Sequence, residues 1–419
     1  MKRYSLTIRI LGAVLLGALF FGFSLAQSEP VRLTFWSWRI EDKWAYDQII
    51  AGYEATHPGV DIEFMPFESS TYATVLSTAF AAGQGPDIAH VRAYGAFEAF
   101  AAPGFLLPLD DKVSELANFS ELALNGERLR ADGRVYAVPF ASQTLVIYYN
   151  TAIFNQLGLT PPETWDQFLA TCQALKANGS IPLANGAATA FMNEVLMGVF
   201  APNFYGADFF NQVVAGETTF EDPRFTGALA RLLELRPYLA PDFLGVDYTT
   251  AQSLFVNELA AMFAGGSWEI ANFRRQNPDL TFDIFPGPVL EAGQPHLASS
   301  FLDGGYAVNA ATPHQAEAVE FVRFLASPEF GQQLTDLLAN ISPIAGVVPT
   351  DPLLQEVAEF NRNATPYVFL VGFRYENPTG STLVQQALPE MLAGNITPEE
   401  VGRRVTEGIA TYYQPFQNR

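Results

Sequence analysis

The sequence has few of the residues that metal sites and redox enzymes need. Of 419 residues, one is cysteine and four are histidine. Cys172 cannot form an intramolecular disulfide, and its place inside a helical pattern predicts a buried packing role. The histidines lack the paired spacing of a zinc site, and no glycine-rich phosphate loop precedes a Lys-Ser or Lys-Thr pair. We therefore expect no metal and no cofactor.

Basic residues are also scarce. Lys and Arg number 23 against 44 Asp and Glu, which gives a formal net charge of −21. Such a surface repels nucleic acid and anionic lipid headgroups, so neither is expected as a partner. Hydrophobic residues make up 49 % and charged residues 16 %, a composition typical of folded chains. The length leaves room for two domains.

The long hydrophobic run of this sequence lies at its N-terminus. Residues 1–26 are predicted to be a signal peptide, with basic residues at Lys2, Arg3 and Arg9, the apolar core "ILGAVLLGALFFGF", and a cleavage site after Ala26. The run is shorter than the ~20 residues that span a bilayer. No cysteine follows it to carry a lipid anchor. We expect a protein free in the periplasm or outside the cell; retention of the segment as an anchor is the alternative.

From residue 31 onward, short strands alternate with amphipathic helices. The segments "VRLTFWSW", "VDIEFMPF" and "PDIAHV" are predicted strands. Between the first two, Tyr46, Ile49, Ile50 and Tyr53 form one face of a helix. This order predicts an α/β fold with a parallel sheet covered by helices. Residues 181–215, in contrast, show no strong periodicity.

Three helix starts carry the pattern of a capping box, in which a threonine is followed three residues later by Gln or Glu. These pairs are Thr164 with Gln167, Thr312 with Gln315, and Thr397 with Glu400. In the second and third pairs, proline follows the threonine. Each pair predicts the first residue of a helix.

The segment "MFAGGSWEIANF" at 262–273 allows two interpretations. Gly265-Gly266-Ser267 resembles the front half of a nucleophile elbow, but Glu269 occupies the position of the last glycine. Alternatively, the glycines let a ligand approach the backbone while Ser267 offers a hydroxyl and Trp268 a flat apolar face.

A glycoside hydrolase is the main enzymatic alternative, and it would need two carboxylates about 5–9 Å apart. Glu68 and Asp303 are the candidates in a cleft. Carboxylates at strand ends more often accept hydrogen bonds from ligands than perform catalysis. We therefore expect a binding protein and not an enzyme.

Several segments together resemble the extracellular solute-binding proteins of ABC importers, in the family that includes maltose- and maltodextrin-binding proteins. The resemblance covers nearly the whole mature chain, and the Gly-x-x-Pro-Asp turn in the third segment is its sharpest signature. The segments are "LTFWSW", "YEATHPGVDIEF", "LSTAFAAGQGPDIAHV", "GRVYAVPFASQTLVIYYNTAIFNQLGL", "PPETWDQFL", "NELAAMFAGGSWEIANF", "GGYAVNAATPHQAEAVEFVRFLASPEFGQQL" and "LAGNITPEEV".

The resemblance implies two α/β lobes, each a mostly parallel sheet covered by helices, that close around a ligand as a hinge. The N-terminal lobe is expected to hold residues 27–140 and 306–345. The C-terminal lobe is expected to hold residues 145–303 and 350–419. Crossover strands, predicted in "ASQTL" and "GGYAVN", would join the lobes.

The resemblance also implies which residues line the cleft between the lobes. They are Trp38, Arg39, Glu68, Arg92 and Tyr94 from the first lobe, Gln143 on the first crossover, and Phe191, Trp268, Asp303, Gly304 and Arg374 from the second. Trp38 and Trp268 lie just past strand ends, where a large ring has little core to enter, so ligand contact is expected. Arg92 and Arg374 have an equal alternative, which is salt bridges to the abundant acids.

Aromatic rings beside planar polar groups suggest a carbohydrate ligand, because sugars combine apolar C–H faces with hydroxyls that need hydrogen-bond partners. The alternative within the family is a glycerol-phosphate or other polar solute, since two arginines could clamp a phosphate. The expected protein partners are the membrane permease subunits of an importer, and the protein itself is expected to be a monomer.

Overall fold

The structure is a computed structural model that describes residues 30–417. The predicted signal peptide lies outside these residues. The strands in chain order are β1 (Val31–Ser37), β2 (Val60–Pro66), β3 (Ile88–Arg92), β4 (Ala137–Pro139), β5 (Ser142–Asn150), β6 (Ile181–Leu183), β7 (Ala260–Gly266), β8 (Phe282–Phe285), β9 (Ala298–Leu302), β10 (Gly304–Val308) and β11 (Ala364–Pro366).

Helices surround these strands, and five short 3-10 helices lie within residues 30–417, at Ile40–Asp42, Ser114–Asn118, Arg236–Tyr238, Phe243–Gly245 and Asn361–Asn363. The α-helices are α1 (Lys43–Thr56), α2 (Tyr72–Ala81), α3 (Gly95–Ala101), α4 (Glu121–Asn125), α5 (Thr151–Leu157), α6 (Trp165–Ala177), α7 (Ala190–Phe200), α8 (Pro202–Tyr205), α9 (Phe209–Val214), α10 (Pro223–Leu233), α11 (Tyr248–Val256), α12 (Glu269–Gln276), α13 (Gln315–Leu325), α14 (Pro328–Leu338), α15 (Pro352–Phe360), α16 (Val368–Gly372), α17 (Gly380–Ala393), α18 (Pro398–Ala410) and α19 (Gln414–Gln417). No helix among the described residues is long and apolar enough to cross a membrane.

The first sheet has the strand order β2-β1-β3-β10-β4. Strand β1 runs parallel to β2 and β3, as the alternating pattern predicts. Strand β10 is antiparallel to β3 and β4. One apolar cluster contains Phe35 and Tyr46 and another contains Trp38 and Leu76, so separate cores form against this sheet. We call this sheet, with α1–α4, α13 and α14, the N-terminal lobe.

The second sheet has the order β11-β9-β5-β7-β6, and β8 also pairs with β5. Strand β5 runs antiparallel to β7, β8 and β9, whereas the outer pairs β11–β9 and β6–β7 are parallel. One large apolar cluster fills this half of the molecule, and Cys172 is buried in it, which confirms its packing role. We call this sheet, with α5–α12 and α15–α19, the C-terminal lobe. The predicted two-lobe α/β fold is confirmed, but both sheets are mixed and not mostly parallel as expected, because β10 and β5 run antiparallel to their neighbours.

The chain passes between the two sheets at three places within residues 30–417. The first crossing is residues 140–141, between β4 and β5. The second crossing is the single residue Asp303, between β9 and β10. The third crossing is residues 339–351, between α14 and α15. Strands β5 and β10 each follow a crossing, and both run antiparallel to their neighbours. The exact division of the chain into lobes that the sequence suggested remains a prediction.

Two of the predicted helix caps form. The Thr164 side chain accepts a hydrogen bond from the backbone N–H of Gln167, and the Gln167 side chain bonds back, so the capping box is complete. Thr397 accepts from the backbone N–H of Glu400 at 3.2 Å. Helices α6 and α18 therefore begin where the sequence predicts.

The third predicted cap, at Thr312, is wrong. Helix α13 begins at Gln315, and His314 precedes it without a side-chain cap. The hydroxyl of Thr312 instead donates to the carboxylate of Asp87, which also accepts from the backbone N–H of Thr34 at 2.8 Å. The same hydroxyl accepts from the backbone N–H of His314 at 3.1 Å, so it closes the turn before α13 and does not reach the first turn of the helix.

Candidate ligand-binding cleft

A buried polar network joins the three crossings. The side-chain N–H₂ of Gln143, at the start of β5, donates to Asn340 Oδ1 at 2.7 Å and to Asp303 Oδ2 at 3.5 Å. The Gln143 carbonyl oxygen accepts from the hydroxyl of Ser267 at 2.7 Å. One amide therefore links the first crossing to the second, to the third and to the C-terminal lobe. With both amide hydrogens and its oxygen engaged, Gln143 connects the three crossings in this structure, and its bond to a ligand remains a prediction.

Two arginines of the N-terminal lobe hold the carboxylate of Asp303. The distances are 3.3 Å from Arg39 Nη1 and 3.2 Å from Arg92 Nη1. Arg39 is buried and also pairs with Asp42 at 2.5 Å; burial raises the pKa of Asp42 to about 6, although Arg39 opposes the rise. Arg92 donates to Ser69 at 2.9 Å, but 35 % of its side chain remains exposed. Of the two roles predicted for Arg92, the salt bridge is the one present in this structure. Part of its side chain nevertheless stays accessible to solvent.

Trp38 packs into the N-terminal lobe and is only 4 % exposed. Its ring stacks on His90 with centroids 4.0 Å apart, and the Arg92 guanidinium carbon lies 4.2 Å from its centre. A Cβ at Gly304 would lie 2.2 Å from the backbone oxygen of Val91 and 2.8 Å from this ring, so the glycine makes room for both. The expectation that Gly304 belongs to the second lobe is wrong, because it begins β10 in the sheet of the N-terminal lobe. The prediction that Trp38 has little core to enter is wrong, because His90 and Gly304 provide one. Trp38 is therefore a packing residue in this structure, and its ring supports the guanidinium of Arg92.

Glu68 and Tyr94 follow β2 and β3 at the same edge of the sheet. Glu68 is exposed, and its backbone carbonyl accepts from the N–H groups of Thr71 and Tyr72. Tyr94 has a positive φ of 63°, which is uncommon outside glycine. Its hydroxyl accepts from the backbone N–H of Leu302 at 3.0 Å, and burial raises its pKa to about 12. Tyr94 thus connects the N-terminal lobe to the end of β9.

A row of five aromatic rings lies in the C-terminal lobe. Phe191 meets Tyr248 edge-on at 5.1 Å, Trp268 meets Phe301 edge-on at 6.3 Å, and Phe301 meets Tyr367 at 5.4 Å. The indole N–H of Trp268 donates to the Tyr248 hydroxyl at 3.0 Å, which connects the two halves of the row. Sequence reasoning found Phe191 and Trp268 but missed the other three. The position of Phe301 two residues before the Asp303 crossing was a signal that could have found it.

The ring of Trp268 leaves no room for a side chain at position 266, so this position needs glycine. An ideal Cβ at this position would lie 1.8 Å from the six-membered ring of Trp268, and its three nearest atoms all belong to that ring. At Gly265 a Cβ would meet the ring of Phe263 at 2.6 Å. The expectation that these glycines admit a ligand to the backbone is therefore wrong. They admit aromatic rings of the same lobe, and Trp268 remains half-buried against the core of that lobe.

Ser267 is buried and faces away from solvent. Its hydroxyl donates to Gln143 and accepts from the backbone N–H of Thr144 at 3.2 Å. Neither partner is a general base, so the nucleophile interpretation finds no support. The predicted role of this hydroxyl as a ligand contact is also corrected, since both of its bonds tie β7 to β5.

Arg374 belongs to a polar cluster beside α17. Its Nε donates to the Ser381 hydroxyl at 2.7 Å, and its Nη2 lies 3.5 Å from the carboxylate of Glu194. Gln385 donates to the same carboxylate at 2.5 Å. Arg374 is therefore paired like Arg92, with 19 % of its side chain exposed.

The lobes touch beside this cluster. A Cβ at Gly95 in α3 would lie 2.3 Å from the backbone oxygen of Arg374, and the Arg130 guanidinium carbon lies 3.7 Å from the centre of the Tyr375 ring. At another point, burial and the carboxylates of Glu269 and, from the N-terminal lobe, Glu41 raise the pKa of Tyr248. The two lobes are therefore in contact at Gly95 and Arg130, and Glu41 lies within electrostatic range of Tyr248.

Two α/β lobes are linked by three crossings, and the site residues predicted from the sequence lie on both lobes. The family model "Bacterial extracellular solute-binding protein" matches residues 38–332. This match covers more than half of the chain, and the protein belongs to that family. The recognition made from sequence segments is confirmed.

Individual relatives agree with this assignment. The multiple sugar-binding protein of Streptococcus mutans is 24 % identical over 336 residues, which are 77 % of this chain and 78 % of that protein. A chitin oligosaccharide binding protein superposes with a TM-score of 0.77 at 23 % identity, covering 91 % of this chain and 100 % of that one. The solute-binding protein RafE in complex with raffinose gives 0.74 at 22 % identity, over 92 % and 100 % of the two chains. The two structural likenesses show that the fold is shared.

Proposed function

We propose that this solute-binding protein captures a carbohydrate in the cleft between its lobes and delivers it to the membrane subunits of an ABC importer. The main observation in favour of a carbohydrate is Trp268, which is half-buried and belongs to a continuous row of aromatic rings. Aromatic rings offer large apolar area with few rotatable bonds, which suits the C–H face of a sugar. The names of the relatives, which bind sugars, raffinose and chitin oligosaccharide, support the same class.

The polar groups around this face suit the hydroxyls of a sugar. Arg92 and Arg374 keep part of their side chains exposed, while each also donates to one carboxylate and one serine hydroxyl. Glu68 adds an exposed acceptor at the edge of the N-terminal lobe. A buried sugar hydroxyl without a partner would cost about 1–3 kcal/mol, so such donors and acceptors are required on both walls.

An organic phosphate is a weaker candidate. A phosphate clamped between the two arginines would compete with Asp303 and Glu194, with which they are already paired. Removing a paired carboxylate from a guanidinium in a buried site is costly. A neutral sugar can bond to the outer edges of these ion pairs and leave them intact.

Binding without turnover is part of the proposal. Asp303 accepts from two arginines, so it is held as an acceptor and is poorly placed to donate a proton to a leaving group. Incubation with oligosaccharides, followed by chromatography, should show no product. Steady product formation that disappears in Glu68→Ala or Asp303→Ala would favour a hydrolase instead.

We further propose that residues 1–26 direct export, that they are removed, and that the mature monomer is free in the periplasm or outside the cell. Its negative surface is consistent with this, since loss of the three basic residues leaves 20 Lys and Arg against 44 Asp and Glu. Mass spectrometry of the secreted protein should give an N-terminus at Gln27.

A thermal-shift panel tests the ligand class. Maltotriose, raffinose, a chitin oligosaccharide and a glycerol-phosphate diester are each added to the mature protein. A ligand at ~100 Kd adds about 2.7 kcal/mol of stability and raises the melting temperature. We expect a shift with at least one sugar and none with the diester. A shift with the diester alone would contradict the carbohydrate proposal.

A further inference from the structure

The carboxylate of Glu269 is buried next to the aromatic row and has no ionic partner among the described residues. Glu269 is the first residue of α12 and is fully buried. Gln252 donates to both of its oxygens, at 2.9 and 3.2 Å, and Asn272 donates at 3.0 Å. The Tyr248 hydroxyl also donates to it. None of the salt bridges within residues 30–417 includes Glu269, so hydrogen bonds and the N-terminal end of α12 stabilise the group.

Two hydrogen bonds connect Trp268 through Tyr248 to the Glu269 carboxylate, and both donate toward the carboxylate. An indole N–H can only donate, so the Tyr248 oxygen must accept from Trp268. The Tyr248 proton is then directed to Glu269. Gln252 and Asn272 present N–H groups to the remaining lone pairs, which fixes the carboxylate. The rotation of the indole about its side-chain bonds is thereby determined by groups that lie behind it.

We propose that Tyr248 and Glu269 are positioning residues that fix the Trp268 ring as a binding platform. The inference rests on the proposed function of Trp268 as a ligand contact. It deepens that function, because the indole N–H is used internally and only the ring face is offered. Trp268 therefore selects a ligand with an apolar face, such as the C–H face of a pyranose, and contributes no hydrogen bond of its own.

Three contacts support this assignment over simple packing. The Tyr248 ring is itself held by Phe191, edge-on at 5.1 Å. The Trp268 ring is bounded by Phe301 on one side and by the backbone of Gly266 beneath it. Burial of a carboxylate is expensive, so a chain that needed only to fill this space would use an apolar residue.

The first experiment requires no ligand. The protein is labelled with 5-fluorotryptophan, which gives signals from its five tryptophans. The Trp268 resonance is assigned with Trp268→Phe. We expect one sharp ¹⁹F resonance in the wild type and a shifted or broadened one in Tyr248→Phe and Glu269→Gln. Tyr149→Phe is the matched control, because it removes a tyrosine–carboxylate bond of 3.4 Å to Asp283 elsewhere in the lobe.

The second experiment is a double-mutant cycle, with the sugar that binds best among maltotriose, raffinose and a chitin oligosaccharide as probe. Tyr248→Phe should weaken binding about 3- to 10-fold, the worth of one hydrogen bond. In the Trp268→Ala background the same change should have almost no effect, because Tyr248 acts through Trp268. Tyr149→Phe should leave affinity unchanged.

Two outcomes would overturn the proposal. An unchanged Trp268 resonance in Tyr248→Phe would show that the hydroxyl does not position the ring. An equal loss of affinity in both backgrounds would make Tyr248 a direct ligand contact. If no sugar binds, the proposed function fails, while the ¹⁹F experiment still decides whether the two residues position the ring. Tyr248→Phe keeps its ring, so the test does not depend on whether Glu269→Gln folds.

Discussion

Gly266→Ala is the change that should disturb the Trp268 platform most specifically. Gly266 ends β7 in a strand conformation and pairs with Leu145 of β5, so its backbone accepts alanine. The added Cβ, however, would lie 1.8 Å from one ring atom of Trp268 and 2.3 Å from two others. Non-bonded carbons require about 3.5–4.0 Å, so the ring must move by roughly 2 Å.

The magnitude follows from this clash. Overpacking of an interior position costs about 1–3 kcal/mol of unfolding free energy. A ring displaced by roughly 2 Å also loses the 3.0 Å bond to Tyr248 and its alignment with a ligand. We therefore expect Gly266→Ala to weaken sugar binding at least ~10-fold, comparable with the loss of a central aromatic contact.

Urea unfolding and calorimetric titration measure both effects. Gly227→Ala is the control, because Gly227 lies exposed in α10 with nothing within 4 Å of its Cβ position. It should raise stability by about 0.4–1 kcal/mol and leave affinity unchanged. In the Trp268→Ala background, Gly266→Ala should cost little, because the clashing ring is gone. An equal cost in both backgrounds, or unchanged affinity of the single variant, would refute the reasoning.

Other predictions concern the N-terminal lobe and the hinge. Burial lowers the pKa of His90, and nearby Arg39 and Arg92 lower it further, so the unfolded chain binds the proton first as pH falls below about 6.5. When the pH is lowered from 7.5 to 5.5, the free energy of unfolding measured in urea should therefore fall by about 1.4 kcal/mol more in the wild type than in His90→Phe. Equal decreases in the two proteins would contradict this. Tyr375→Ala removes the ring beneath Arg130, a contact between the lobes, and should weaken sugar binding about two- to fivefold. Unchanged affinity would show that this contact does not stabilise the ligand-bound state. Small-angle scattering should show a smaller radius of gyration with saturating sugar, whereas an unchanged radius would indicate a rigid, preformed site.

Local patterns predicted the elements of the fold well. The strands β1–β3 and helices α1 and α2 lie where alternation and helical periodicity place them. The secondary structure of residues 181–215 could not be predicted, because the sequence there shows no strong periodicity. Every residue of α7 from Met192 to Phe200 is buried, so this helix has no polar face to reveal its period.

The site was predicted less completely, because its contacts join residues far apart in the chain. Asp303 and Arg374 were predicted individually, but their pairing with arginine or glutamate from other elements has no sequence signal. Trp38 and Trp268 have the same local context, each just past a strand. The ring of Trp38 is buried because His90 stacks on it and Gly304 leaves room for it, whereas the ring of Trp268 packs over Gly266 and stays partly exposed.

Calorimetric titration of Trp268→Ala beside the wild type tests the central claim, that Trp268 lines a carbohydrate site, most directly. The ligand is the sugar that the thermal-shift panel selects. We predict one-to-one binding by the wild type and binding that is ~10–100-fold weaker, or about 1.5–3 kcal/mol, in the variant. Urea unfolding of the ligand-free variant should show a loss well below the ~3–5 kcal/mol of a core tryptophan. Near-normal affinity combined with a large loss of stability would contradict the account.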